Sequence, residues 1–482
     1  MLITSPRLRR AGLVATLLAA AALGALASQL LRAQAPLSAS WTGWLNGGLE
    51  HYAAADGQWN SGDNAVQVAL PGGRALWLFN DSYYGPVGDD GTVRPGTPLV
   101  RNMLLLTSGS GDSFRVIRTI TGPSAGGAPA APVPPVAGSP DRSWAWPDGG
   151  IVTGNSVQAI YTVFAPEGPD PFDYVPVANE VVTMPLASLT RPSSYVITPA
   201  GFGPASLTAG CGIGSAGQAG GAGQAGGAGG ANQAGGAGGA GCVQWGVGLV
   251  NATSCPRGLA ACTYVYGEMW PSPGASSRTL VVAVAPRGSL ADPGTWWYDT
   301  AAGWSRSPSG LAAPLGRGSS FGVGSVYRLP GGGYVVLGSS PADGIVAWYA
   351  PDPGLSGARF ARLFSAPGSR GVPGFLAYQA HIAPAYSRGA SVVIGFSVNS
   401  FAHDRACLNY APYYDVAAYQ PEFYSVILPG DAAAAARAGG PRPLPPPRLR
   451  PFRPGARPAP PARAWSSGSC PSPQDENLLQ FW

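Results

Sequence analysis

Residues 63–82 read Asp-Asn-Ala-Val-Gln-Val-Ala-Leu-Pro-Gly-Gly-Arg-Ala-Leu-Trp-Leu-Phe-Asn-Asp-Ser: two strand-forming runs joined by a Pro-Gly-Gly turn, with a carboxylate at each outer end. Period-two alternation around a Gly-rich turn predicts a β-hairpin. Comparable runs return four more times, each opened by a polar or aromatic group. The second set opens at 144–150 and continues through 159–164 and 181–184, and the third covers 244–250, 263–268 and 280–284. The fourth covers 319–323, 334–337 and 345–349, and the fifth covers 378–381, 392–397 and 423–426. Units of three or four strands recurring at roughly 45 residues are the size of propeller blades. The expected fold is therefore all-β, a five-bladed β-propeller over 41–428, whose closure removes most free sheet edges and leaves an axial basin for a ligand. No long helix is expected.

Composition agrees. The chain has 71 Gly and 50 Pro in 482 residues, which argues against a helical protein, while 19 Tyr, 14 Trp and 14 Phe suit strands and a polar-aromatic binding surface. Every basic residue is Arg, which fits the codon usage of a GC-rich genome. The net charge of +5 is carried by the two ends, leaving a mildly acidic body with no basic stripe. Nucleic acid is excluded as the expected partner.

Residues 1–27 read as an export signal: Arg7, Arg9 and Arg10 precede an apolar stretch, and Ala25-Leu26-Ala27 supplies a small-x-small cleavage site. The expected location is extracellular, with no membrane contact after cleavage; an uncut leader would anchor the protein at the cell surface. Six Cys suit that compartment. The expected disulfides are Cys255–Cys262 across a turn, Cys211–Cys242 at the base of a Gly/Ala/Gln run, and Cys407–Cys470 between body and tail. That run, 214–241, has no apolar pattern and is expected to be a flexible insertion. Residues 124–140 read as a second loose stretch, and 429–482 as a Pro/Ala/Arg-rich tail.

At the run Leu-Pro-x-Gly-Arg-x-Leu-Trp-Leu-Phe-x-Asp-Ser (70–82), Trp-Pro-Asp-Gly-Gly (146–150), Tyr-Val-Tyr-Gly (264–267) and Val-Ile-Gly-Phe-Ser-Val-Asn (393–399), the chain resembles a family of secreted bacterial five-bladed propellers, many without an assigned function. Some members are similar to endo-D-arabinanases; a more distant similarity is to arabinanase- and xylosidase-like propeller hydrolases. The resemblance covers about 41–428 without the Gly-rich insertion. It implies one carboxylate at the start of the innermost strand of each of the first three blades: a general base, a group that tunes its neighbour's pKa, and a general acid. Asp63 falls at the base position and Asp148 at the tuning position. The third blade departs from the pattern, since Gln244 stands where the acid is expected and an amide has no acidic proton to give.

Glycosidic cleavage needs one protonated and one ionised carboxyl group, and crowding carboxylates raises the pKa of at least one. The candidate catalytic residues are Asp63 as base or nucleophile, Asp81 as its nearest acidic partner, Asp148, and Glu268 in place of the missing acid. Against these roles stand structural ones: a turn cap for Asp63, a pairing with Arg101 for Asp81, an ordinary turn at Asp148, a solvated loop position for Glu268. Glu180 reads as structural. Trp146, Gln244, Trp245, Tyr378, His381 and Asn399 are candidate substrate-binding positions, with blade packing the alternative for the aromatic ones. Three scattered His make no zinc site, no cofactor is expected, and no ligand spacing supports a structural calcium. Two readings result: an exported glycoside hydrolase acting on a polysaccharide or oligosaccharide, arabinan-type furanosides favoured, and a non-catalytic carbohydrate-binding or cell-surface propeller of the same shape. A monomer is expected.

Overall fold

The computed structural model describes residues 39–428 except 57, 89–90, 92, 95, 125–126, 167–173, 201–241, 271–277, 316–321, 330–331, 341–343, 365–374 and 401–418. The chain enters through β1 (Ala39–Trp41) and a helix, α1 (Gly43–Asp56). A small sheet, β2 (Trp59–Gly62), β5 (Ser82–Tyr84) and β6 (Leu99–Val100), brackets the first large sheet of β3 (Val66–Leu70), β4 (Arg74–Phe79), β7 (Met103–Ser108) and β8 (Arg115–Ile120). The second contains β9 (Trp144–Thr153), β10 (Ser156–Pro166), β11 (Tyr174–Pro185) and β12 (Val196–Ala200). The third contains β13 (Cys242–Ala252), β14 (Cys262–Trp270), β15 (Thr279–Pro286), β16 (Trp297–Thr300) and β17 (Gly303–Ser305). The fourth is β18 (Gly322–Arg328), β19 (Tyr334–Ser340), β20 (Gly344–Ala350) and β21 (Arg359–Phe364). In the fifth, β22 (Phe375–Ile382), β23 (Ser391–Ser400) and β24 (Glu422–Ile427) are completed by β1, with Trp41 opposite Tyr424. The all-β expectation holds, and every strand pair is antiparallel.

Within the first four large sheets the strands follow chain order, the fifth ends on β1, and the innermost strands touch in cyclic succession: β3 with β9, β9 with β13, β13 with β18, β18 with β22, and β22 with β3. Each neighbouring pair of sheets encloses its own apolar core. A sheet between two such cores is buried on both faces, so its middle strands lose the in-out alternation the sequence predicts. In β4 every residue from Ala75 to Phe79 is fully buried, as is every residue from Val281 to Ala285 in β15. Around the axis the five innermost strands leave a channel of about 350 Å³, lined by Gln67, Asn251, Arg328 and His381 among apolar neighbours.

Two local features differ from expectation. The helix α1 carries Leu45, Leu49, Tyr52 and Ala53 on one buried stripe, which fills the core between the fifth and first sheets. Asn46 binds it there, donating to the Phe423 carbonyl at 2.9 Å and accepting from its N–H at 3.0 Å. The described part of the expected loose stretch, 127–140, is anchored. Val133 inserts fully buried into the core between the first two sheets, and Asn102 bonds both its N–H and its carbonyl. Cys255 and Cys262 form the disulfide across the turn between β13 and β14. Cys211, Cys407 and Cys470 lie outside the described residues, as do the leader, the Gly-rich insertion and the tail. Among the described residues no helix is long and apolar enough to cross a membrane.

Candidate active site

Asp63 lies between β2 and β3, where the chain passes from the small sheet to the first large one. Its N–H donates to the Asp81 carbonyl at 3.2 Å, and its own carbonyl accepts from the Asn80 N–H at 3.0 Å. This backbone pair places Asp63 beside Asp81, which follows β4. The Tyr378 hydroxyl, from β22, donates to Asp63 Oδ2 at 2.9 Å, and Oδ1 is buried without a hydrogen-bond partner. Asp81 is differently served. Arg101 donates to its Oδ2 at 3.1 Å and Trp146 Nε1 to its Oδ1 at 3.0 Å. Arg101 also lies over the Trp144 ring, 4.3 Å from its centroid.

A second pair forms between the second and third sheets. Asp148 sits at a bulge in β9, where the register with β10 shifts, and the extra residue aims its side chain off the ladder. Thr162 donates to its Oδ2 at 2.8 Å, and Gln244 Nε2 to its Oδ1 at 2.5 Å. Glu268 stands opposite Gln244 across β13 and β14, buried, and accepts from Arg278 at 2.6 Å. The backbones here are unusually close, since a Cβ on Gly149 would lie 2.2 Å from the Gly246 carbonyl oxygen.

Burial dominates the electrostatics. It pushes the Asp63 carboxyl up to about 8, with the charge of Asp81 adding to the shift and the Tyr378 hydrogen bond and the Tyr419 hydroxyl opposing it. Burial likewise pushes Asp148 to about 8, against the donors Gln244 and Thr162 and with Glu268 adding to the rise. Asp81 is also raised by burial, but Arg101 and Trp146 pull it back toward the ionised form. Tyr174 ties the two pairs together. Its pKa is raised chiefly by burial and then by Asp81 and Asp63, while Arg101 and Arg278 lower it, so its hydroxyl lies within the field of all four. Burial thus favours the neutral form of Asp63, next to an Asp81 that faces a guanidinium. One carboxyl to give a proton and one to hold charge is the requirement of acid–base cleavage.

Of the sequence-predicted residues, the structure brings Asp63, Asp81, Trp146 and Tyr378 into one hydrogen-bonded set and Asp148, Gln244 and Glu268 into another. His381 is buried at the axis, within 2.7 Å of Asn64 Oδ1, and lines the channel. Trp245 is not brought to the site: it is buried against Trp296 and Tyr298 inside the third sheet's packing. Asn399 stands in β23 opposite Leu376, at a position whose side chain is outside the described ones. Glu180 is fully buried away from the set, accepting from the Val136 N–H at 2.8 Å. Glu268 is an ion-paired acceptor, not a solvated loop residue. Sequence reasoning did not find Asn64, Tyr174, Tyr419 or Arg278; most of Asn64's partners lie far along the chain, and Arg278 pairs with Glu268 across a strand connection. No group of three or more His, Cys, Asp or Glu able to hold a metal occurs among the described residues.

No curated protein matches the chain. Among solved structures it is similar to a Bacteroides ovatus ATCC 8483 protein described as a "putative hydrolase". The two are 17% identical over 82% of this chain and 92% of that one, at a TM-score of 0.51. Weaker likenesses are to an exo-1,5-α-L-arabinanase from a bovine ruminal metagenomic library (8% identity, 77% and 93% covered, TM-score 0.34) and an α-L-arabinofuranosidase from Lactobacillus brevis (5%, 77% and 92%, 0.36). Only the first amounts to a shared fold. Residues 46–198, the stretch that holds Asp63, Asp81 and Asp148, match a family described as a domain of unknown function, DUF5005.

Proposed function

We propose that the chain is an exported five-bladed β-propeller glycoside hydrolase that cleaves an extracellular or cell-wall polysaccharide, arabinan-type furanosides favoured. The observation that carries this reading is the unequal pair: Asp63, raised to about 8 by burial, beside Asp81 with both oxygens occupied by donors. Asp63 supplies the proton to the leaving oxygen, and Asp81 is the charged member that activates water or steadies the developing cation. That reverses the order the sequence implies, because the cation and the indole N–H go to Asp81. Asp148, held by Gln244 and Thr162, shapes the field around them. Trp146, packed against Trp144, Phe164 and Tyr174, serves the site through its N–H on Asp81.

A second reading, a carbohydrate-binding propeller without turnover, is favoured by Gln244, whose amide spends a hydrogen bond on Asp148 where the related hydrolases keep a third acid. One experiment separates the two. Purified protein is screened for reducing-sugar release from arabinans, galactans and other polysaccharides, beside Asp63→Asn. The hydrolase reading expects release that falls about 10²–10⁴-fold in the variant. Release that survives Asp63→Asn removes Asp63 from the chemistry; tight binding with no release from any polymer selects the binding module.

A further inference from the structure

Asn64 follows Asp63, is 5% exposed, and adopts φ 57°, the left-handed region that Asn tolerates better than most side chains. Its side-chain Nδ2 donates to Asn80 Oδ1 at 2.9 Å and to the Pro147 carbonyl at 2.5 Å. Its backbone N–H donates to Ser397 Oγ at 2.7 Å. With both amide hydrogens used, its Oδ1 is the acceptor in the 2.7 Å contact with His381, so the imidazole presents Nε2–H there. The partners share a pattern. Asn80 directly precedes Asp81, and Pro147 directly precedes Asp148. One buried amide is thus bonded to the chain neighbour of each of the other two acids, while its own backbone carries the third. Ser397 and His381 fasten the same residue to the fifth sheet.

We propose that Asn64 is a positioning residue: its hydrogen bonds to Asn80, Pro147, Ser397 and His381 fix Asp63, Asp81 and Asp148 relative to one another where the first, second and fifth sheets meet. Glycine would accept the backbone conformation but has no amide, and aspartate has the shape but turns two donors into acceptors facing oxygen. A left-handed residue held this way is kept only where its surroundings over-determine it. Reacting groups lose about 10²-fold in rate when displaced by about 1 Å, which makes such a hub consequential. The proposal rests on the hydrolase reading for its purpose, but its test needs no turnover.

The test uses the full-length protein labelled at Asp carboxyl carbons, with resonances assigned through Asp63→Asn and Asp148→Asn, and titrated by NMR. In Asn64→Gly and Asn64→Asp, with fold checked by far-UV circular dichroism, the Asp63 and Asp148 midpoints are expected to fall from about 8 by about one unit or more, as water enters and the acids separate. Val282→Ala, a cavity in the core between the third and fourth sheets, is expected to lower thermal stability and leave both midpoints in place. Unmoved midpoints in both Asn64 variants, or equal movement in Val282→Ala, overturn the proposal. Should neither Asn64 variant fold, Ser397→Ala and His381→Gln are read by the same criterion. Wild-type protein that hydrolyses nothing, with midpoints that move as expected, defeats the hydrolase reading and leaves the hub standing; hydrolysis with fixed midpoints does the reverse.

Discussion

Arg101 and Trp146 both donate to the buried Asp81 carboxyl and favour its ionised form against burial, and the two donors are not equivalent. The guanidinium supplies charge as well as a hydrogen bond, and its own side chain is 18% exposed, shielded on one face by Trp144. Arg101→Ala leaves the carboxyl with a neutral donor in a dry site. Removing one member of a buried pair costs about 3–5 kcal/mol, and the partial exposure of Arg101 puts this pair at the low end. Urea denaturation is expected to show a loss of about 3 kcal/mol at pH 7 and a smaller loss at a lower pH where the carboxyl, raised by burial, is protonated. An equal loss at both values would make the contribution of Arg101 one of packing. At this scale the acids were legible, because short polar residues at the ends of strand-like runs stand out in a chain poor in charge. Asn64 was not. Its conformation leaves no local trace, and its partners lie 16 to 333 positions away.

Elements are decided here by how near two backbones come. At the axis β9 and β13 approach until Gly149 faces the Gly246 carbonyl, and Gly246 itself has φ 102° with Ile160 beside it. Gly149→Ala would force the strands apart next to Asp148, and overpacking of this kind costs about 1–3 kcal/mol. Gly47 of α1 behaves oppositely. A Cβ on Gly47 meets nothing within 4 Å, and the residue is exposed, so Gly47→Ala is expected to add about 1 kcal/mol by helix propensity. Thermal unfolding of the two variants should move in opposite directions; a stabilised Gly149→Ala would mean the strands have room to spare. The same glycines explain which elements could be read. The hairpin at 66–79 declared itself through alternation and its turn, whereas Gly43, Gly47 and Gly48 dilute the apolar stripe of α1 until only Leu45, Leu49 and Tyr52 mark it. The pairing of β1 with β24 had no sequence signal, since it joins a three-residue strand to a partner almost the whole fold away.

For the whole molecule, a ring of sheets with a core at every junction strands polar groups where water cannot follow. Three of them are carboxyls that burial pushes to about 8: Asp63, Asp148 and Glu180. Glu180 is the informative one, because it stands apart from the candidate site. Its Oε2 accepts from the Val136 N–H, its Oε1 is buried without a partner, and burial is the cause of its shift. An acid whose folded pKa exceeds its unfolded value binds more protons when folded. Its contribution is therefore undiminished below the unfolded pKa and is eroded as pH rises toward the folded one. The folded chain should lose stability steadily between about pH 4.5 and 8 on account of these groups, opposite to the usual behaviour of ion-paired carboxylates. Glu180→Gln keeps an oxygen for Val136 and removes the titration. It is expected to exceed wild type by about 2–3 kcal/mol at pH 8 and to approach it as pH falls through the ordinary glutamate range. Urea unfolding of both proteins at pH 5 and pH 8 measures the difference. A gap independent of pH would show that Glu180 acts through packing alone, and wild type more stable than the variant at pH 8 would require a cation that holds Glu180 ionised in the fold.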